Sequence, residues 1–332
     1  MKSYRTRLVT TAKKLGVLAG VTACVLSLSQ CGSWSSDPDH EPSRGSRSPA
    51  SSSAPDGRPA EGLERVITDY TAGFDEDTGY RRPTRDDRRT LAESVALLLD
   101  GRRTAAEHRL ADVDFAVRTV KDPVGGRRYA EVADRSEDGA APRGWGRVYI
   151  DLDSPVRWSV QVPHPVADRY TEQLGARLLS RSPGGILVIA GAHRDAGRRD
   201  TADVAHRRDS VFHAICAELV RRGLPGVQLH GMADDSAPRH DVVASTGRGR
   251  HAVSEGRDLA DALKERGFDV CRAWARSCPL EGRSNVQGRA AAFHDVPWLH
   301  IEFGPGIRED RTRARGAIEA LADLTRTWRR QD

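Results

Sequence analysis

Three histidines, His164, His193 and His230, each follow a short apolar run, at residues 158–163, 186–191 and 227–229. Neutral imidazole is a common metal ligand and titrates near neutrality, so three rings delivered to one edge would make a metal or acid/base centre. A lone histidine is more often a hydrogen-bonded structural residue, and only convergence changes that reading. Asp168 adds a carboxylate four residues after His164, at the expected entrance of a helix. Arg194 follows His193, Asp203 and His206 lie ahead of the next helix, and Asn285, Gln287 and Arg289 offer amide and guanidinium donors. Glu302 interrupts the apolar stretch 298–303, with His300 two residues earlier on the same face. Metal-assisted hydrolysis needs an incomplete ligand set, a carboxylate to take a proton from water, and a cation for the developing oxyanion. This chain has a residue for each part. His164, Asp168, His193 and His230 are the expected metal ligands, and Glu302, Arg194 and Arg289 the expected catalytic groups. Asn285, Gln287 and Arg308 are the expected substrate contacts. Each has a bland counterpart: Asp168 as a helix cap, the arginines as solvated charges, Glu302 as an ion pair with Arg308.

The elements that must position these residues follow from periodicity. Residues 186–190 are an unbroken apolar run with branched side chains, as in a strand buried on both faces of a parallel sheet. In such sheets ligands bind beyond the carboxyl ends of the strands. Val166, Tyr170, Leu174 and Leu178 predict a helix after the first histidine strand. Val211, Phe212, Ile215, Cys216, Leu219 and Val220 predict another, capped near Asp209 and Ser210. Further strands are expected at 241–245, 270–274 and 297–303, and a closing helix carries Ile318, Leu321, Leu324 and Trp328. Upstream, residues 90–113 predict one helix, and 115–120, 128–132 and 146–152 an antiparallel edge feeding the central sheet. The alternation implies an α/β fold, a three-layer α/β/α sandwich on a mostly parallel mixed sheet, in one domain from about residue 61 to 332.

The formal charge of +5 does not point to nucleic acid. Residues 1–30 hold five basic side chains and no acid, so the rest of the chain is formally neutral. That basic start, followed by a mostly apolar run over 15–29, reads as a secretory signal over residues 1–31. Cys24 ends a stretch resembling a bacterial lipoprotein box, and Cys31 has the better context, so either is the expected lipidation site; cleavage and free secretion is the alternative. Residues 32–60 are rich in Ser, Pro and Gly, a composition that cannot offset chain entropy by burial, and are expected to be a disordered tether. In an oxidising exterior Cys271 and Cys278 are placed to pair. No Gly-x-Ser-x-Gly elbow, phosphate-binding loop or dinucleotide fingerprint is present.

Val-Pro-His164-Pro, Leu-His230-Gly and Leu-His-Ile-Glu302-Phe resemble motifs of the zinc-dependent amidohydrolases related to N-formylglutamate amidohydrolase, poly-γ-glutamate hydrolase and the metallocarboxypeptidases. The resemblance covers roughly residues 155–310. It implies zinc as cofactor, His164 and His230 as ligands, and Glu302 as general base. The family's His-x-x-Glu is absent, so the second ligand falls to Asp168 or to a set built on His193. The expected function is an exported metal-dependent hydrolase of an amide or peptide bond, acting on a small molecule or peptide in cell-wall or poly-acid material. The alternative is a non-catalytic lipoprotein module that binds an acidic ligand through Arg194, Arg289 and Arg308.

Overall fold

The computed structural model describes residues 62–138 and 142–330. The expected signal peptide, Cys24, Cys31 and the tether lie outside the described residues. In chain order the elements are α1 (Leu63–Thr71), α2 (Arg85–Leu99), α3 (Arg103–Ala111), β1 (Phe115–Asp122), β2 (Arg127–Asp134), β3 (Arg147–Asp151), β4 (Trp158–Val162), α4 (Thr171–Arg181), β5 (Gly185–Ile189), α5 (Val211–Arg221), β6 (Gly226–Gly231), β7 (Val242–Ser245), α6 (Val253–Glu265), β8 (Val270–Arg272), α7 (Val286–Phe293), β9 (Trp298–Phe303), α8 (Pro305–Arg308) and α9 (Arg311–Arg329).

The nine strands form one mixed sheet in the order β1-β2-β3-β5-β4-β6-β9-β7-β8. Its centre, β5-β4-β6-β9, is parallel, while β1 to β3 form the antiparallel edge and join β5. On the other side β7 runs antiparallel to β9 and parallel to β8. Alternation along the strands divides the core into the two interfaces of a three-layer sandwich. Leu187 and Ile189 of β5 pack with Val160, Val162, Leu229 and Ile301 beneath α1, α4, α6 and α9. Ile186 and Val188 face the other way, onto α2, α3 and α5. Each such fully buried aliphatic side chain contributes about 1.5–3 kcal/mol.

Two local departures from the sequence reading have clear causes. The helix expected over 90–113 is two helices. Thr84 and Asp87 form a capping box that starts α2 earlier, and Gly101, in the left-handed region at φ +71°, ends it. The helix after β4 begins only at Thr171, because Val166, Arg169 and Tyr170 all have positive φ, at 67°, 25° and 69°. A β-branched residue there is strained, and such strain is held only where surrounding contacts over-determine it. Here Glu172 accepts from the Val166 amide at 3.3 Å. Arg308 donates to the carbonyls of Asp168 at 3.0 Å and Arg169 at 2.7 Å.

Candidate metal centre

His164, His230 and Glu302 come from the carboxyl ends of three neighbouring parallel strands, β4, β6 and β9, and Glu302 lies in register beside His230. The strained loop after β4 folds Asp168 back beneath both histidines. Its Oδ2 lies 3.2 Å from His164 Nδ1 and 3.1 Å from His230 Nδ1. All three residues are buried, and together they form a group able to hold a metal ion. The separations match the roughly 3.3 Å expected between ligand atoms around a tetrahedral ion with bonds near 2.0–2.1 Å.

Hydrogen bonding fixes which ring nitrogens carry protons. His164 Nε2 lies 2.9 Å from Asp203 Oδ1, an acceptor, so it donates there. For His230 the inference runs through the sheet. The Trp298 indole can only donate, and does so to Gln161 Oε1 at 3.3 Å. Gln228 Nε2 donates to that same oxygen at 3.2 Å, so Gln228 Oε1 faces the other way. There it accepts from the Asn285 amide and from His230 Nε2 at 2.8 Å. His230 Nδ1 is therefore a lone pair in a neutral ring, since burial, and then nearby His300, push its pKa down to about 4. That lone pair faces a carboxylate oxygen with no proton between them. Burial opposes the charge of Asp168, but His164, whose pKa is raised despite burial by its hydrogen bonds to Asp168 and Asp203, more than offsets it and holds the Asp168 carboxyl well below the usual range. With the Nδ1 proton of His164 displaced, two nitrogens and a carboxylate face one point, each ring held from behind by an acceptor, an arrangement able to serve as the donor set and outer shell of a metal ion.

A cavity of about 600 Å³ opens over this group, lined by His164, His230, Arg194, His206, Asn285 and Glu302 among others. Glu302 is buried, and its Oε1 accepts from His300 Nε2 at 3.1 Å. Arg194 is held by Asp203 Oδ2 at 2.9 Å. His206 Nδ1 shares that oxygen at 2.9 Å. Asn285 caps α7, accepting from the Gln287 and Gly288 amides at 3.0 and 3.1 Å. The segment carrying Cys278, Gly282 and Ser284 forms the cavity's outer wall. A disulfide from Cys278 to Cys271 ties that wall to β8. Gly282, at φ +64°, sits so close to the His300 ring that a Cβ would lie 2.6 Å from it, so no side chain fits there.

Four expected site residues lie elsewhere. His193 follows β5, on the far side of β4 from β6, its Nδ1 accepts from the Asp195 amide at 3.3 Å, and it lies outside the group formed by His164, Asp168 and His230. Arg289 lines a different cavity, away from this group. Gln287 is buried beneath the site and braces the Asp203 loop by donating to the Val204 carbonyl at 2.9 Å. Arg308 neither pairs with Glu302 nor contacts the cavity. Besides Asp168 and Arg169 it donates to Phe303 O and Met232 O, both at 2.9 Å, and so locks the loops after β4, β6 and β9 together. Gly231 leaves room for this, since a Cβ there would lie 2.7 Å from the guanidinium. With Arg194, Arg289 and Arg308 in three separate places, they cannot form one acidic-ligand site. The residue missed was Gln228, and the bracing roles of Asp203 and His300 were not assigned. The signal for Gln228 was present, because it precedes His230 by two residues on one strand and so shares its face.

No protein-family model matches the chain, and a search of curated proteins finds no match. Solved structures do align. An N-formylglutamate amidohydrolase from Ralstonia eutropha is 14% identical over 57% of this chain and 100% of its own, with a TM-score of 0.40. A metallo-carboxypeptidase from Pseudomonas aeruginosa is 17% identical over 68% and 69%, with a TM-score of 0.38. A succinylglutamate desuccinylase from Silicibacter is 11% identical over 60% and 65%, with a TM-score of 0.36. Similarity at this level does not carry function; the donor geometry must.

Proposed function

We propose that the chain is an exported zinc-dependent hydrolase that cuts an amide or peptide bond. The observation that carries this is the His230 Nδ1 lone pair turned, with His164 Nδ1, onto the buried carboxylate of Asp168. Without a cation that arrangement is repulsive at 3.1 Å. His164, Asp168 and His230 would hold the ion. Three protein ligands leave a position open, and zinc held so supplies Lewis acidity toward a carbonyl and acidity to water.

The remaining steps belong to the side chains. Glu302, beside His230 and oriented by His300, takes a proton from the attacking water as its oxygen bonds to the carbonyl carbon. It returns that proton to the amide nitrogen as the C–N bond breaks. Arg194, immobilised by Asp203, presents a guanidinium to the same cavity, where it stabilises a substrate carboxylate or the developing oxyanion. Asn285, bonded to Gln228 and to the first amides of α7, shapes the cavity wall. A cavity of about 600 Å³ suits a small acyl-amino acid or the end of a peptide, and cell-wall or poly-acid material is the substrate class we favour. Zinc content of the purified chain tests this, with about one chelator-removable ion per chain expected.

Export and lipid anchoring through Cys24 or Cys31 belong to the same proposal. Among the described residues no helix is long and apolar enough to cross a membrane. Replacing the acylated cysteine by serine should move the protein from the membrane to the soluble fraction. Unchanged fractionation of both Cys24→Ser and Cys31→Ser would rule the anchor out.

A further inference from the structure

A second cavity, of about 660 Å³, lies between the start of α5, the loop after β7 and the outer face of α7. Arg208, Arg248, Arg289, His213, His294 and Phe293 line it, with small or aliphatic residues between them, and none of its lining residues is acidic. Elsewhere the arginines of this chain commonly sit on carboxylates: Arg222 on Asp100 and Glu218, Arg207 on Asp209, Arg266 on Asp323. Arg208, Arg248 and Arg289 have no such partner among the described residues. His213 adds a buried Nδ1 with no hydrogen-bond partner. Burial, then the nearby charges of Arg208 and Arg88, push its pKa down to about 4, so the ring is neutral and does not add to the repulsion. Phe293 is 82% exposed at the rim, the second most exposed large apolar side chain described.

Three exposed arginines lining one cavity with no counter-charge repel one another, and the arrangement gains most from an anion carrying several charges and several oxygens. Guanidinium groups match phosphate oxygens through paired N–H donors, and three of them exceed what one carboxylate can engage. The first turn of α5, where His213 sits, adds the positive end of its helix dipole. We propose that this cavity binds a phosphate group, with Phe293 contacting the apolar part of whatever carries it. The site is independent of the metal centre, since Arg289 projects from the opposite side of α7 to Gln287.

The shared chemistry has two sources, a soluble phosphate compound or a phospholipid headgroup, and two probes separate them. The full chain carrying Cys24→Ser and Cys31→Ser would be titrated calorimetrically with inorganic pyrophosphate against a matched chloride control. It would also be floated with vesicles of phosphatidylcholine, with and without about one-third phosphatidylglycerol. Saturable pyrophosphate binding, weakened about tenfold or more in Arg248→Gln/Arg289→Gln and unchanged in Arg257→Gln on α6, supports a soluble ligand. Flotation with the anionic vesicles alone, reduced by the same double variant and by Phe293→Ser, supports the headgroup. Binding to neither probe, or binding that the double variant leaves unchanged, overturns the proposal.

Discussion

Glu302→Gln should keep the fold and the metal yet lose hydrolysis by a factor of about 10²–10⁴, the usual weight of a general base. The amide is nearly isosteric, and its Oε1 still accepts from His300 Nε2, which now spans 3.1 Å to the carboxylate. The Glu302 side chain is buried on β9 beside His230 and is not among the three atoms that converge on the metal position. Proton acceptance is therefore the one property removed. The measurement is kcat on an amide cleaved by the parent, alongside metal content and melting temperature. Turnover equal to the parent's would remove Glu302 from the mechanism, and loss of metal together with turnover would recast it as a ligand.

His164→Ala and His230→Ala should each weaken zinc binding on the order of a thousandfold. One of three protein ligands is lost from a site class that commonly contributes ~10–16 kcal/mol in total. Each change also strands partners, because Asp203 loses its His164 donor and Gln228 its His230 donor. His193→Ala is the discriminating control and should leave zinc affinity unaltered, since that ring lies beyond β4 and bonds within its own loop. Competition with a chromophoric chelator reads all three. A His193→Ala protein that lost zinc with the others would show that the ligand set is misassigned.

Much of this is legible in the amino-acid sequence. The apolar runs before His164 and His230, and the run containing Glu302, marked strands, and their order β4, β6, β9 brings those residues to one sheet edge. Strand order was the part that spacing could not supply. The run before His193 is as good a strand as the others, but β5 enters on the opposite side of β4. Asp168 was singled out for its distance from His164 in a helix, whereas it reaches the centre through a non-helical loop with three left-handed residues, which local propensity disfavours. Arg289 lies away from the centre for a simple geometric reason. Gln287 faces inward, and two residues further along a helix is a rotation of about 200°. Arg308 looked like a partner for Glu302 because charge complementarity is visible in sequence. The four backbone carbonyls that claim its guanidinium are not.

Zinc content of the purified full chain tests the central claim most directly. After equilibration with zinc and removal of the excess, elemental analysis should find about one ion per chain, bound through His164, Asp168 and His230. A chelator should remove it and lower the melting temperature, because a ligand that binds only the folded state stabilises that state. A folded chain that takes up no zinc across neutral pH, with a melting temperature indifferent to chelator, would contradict the account.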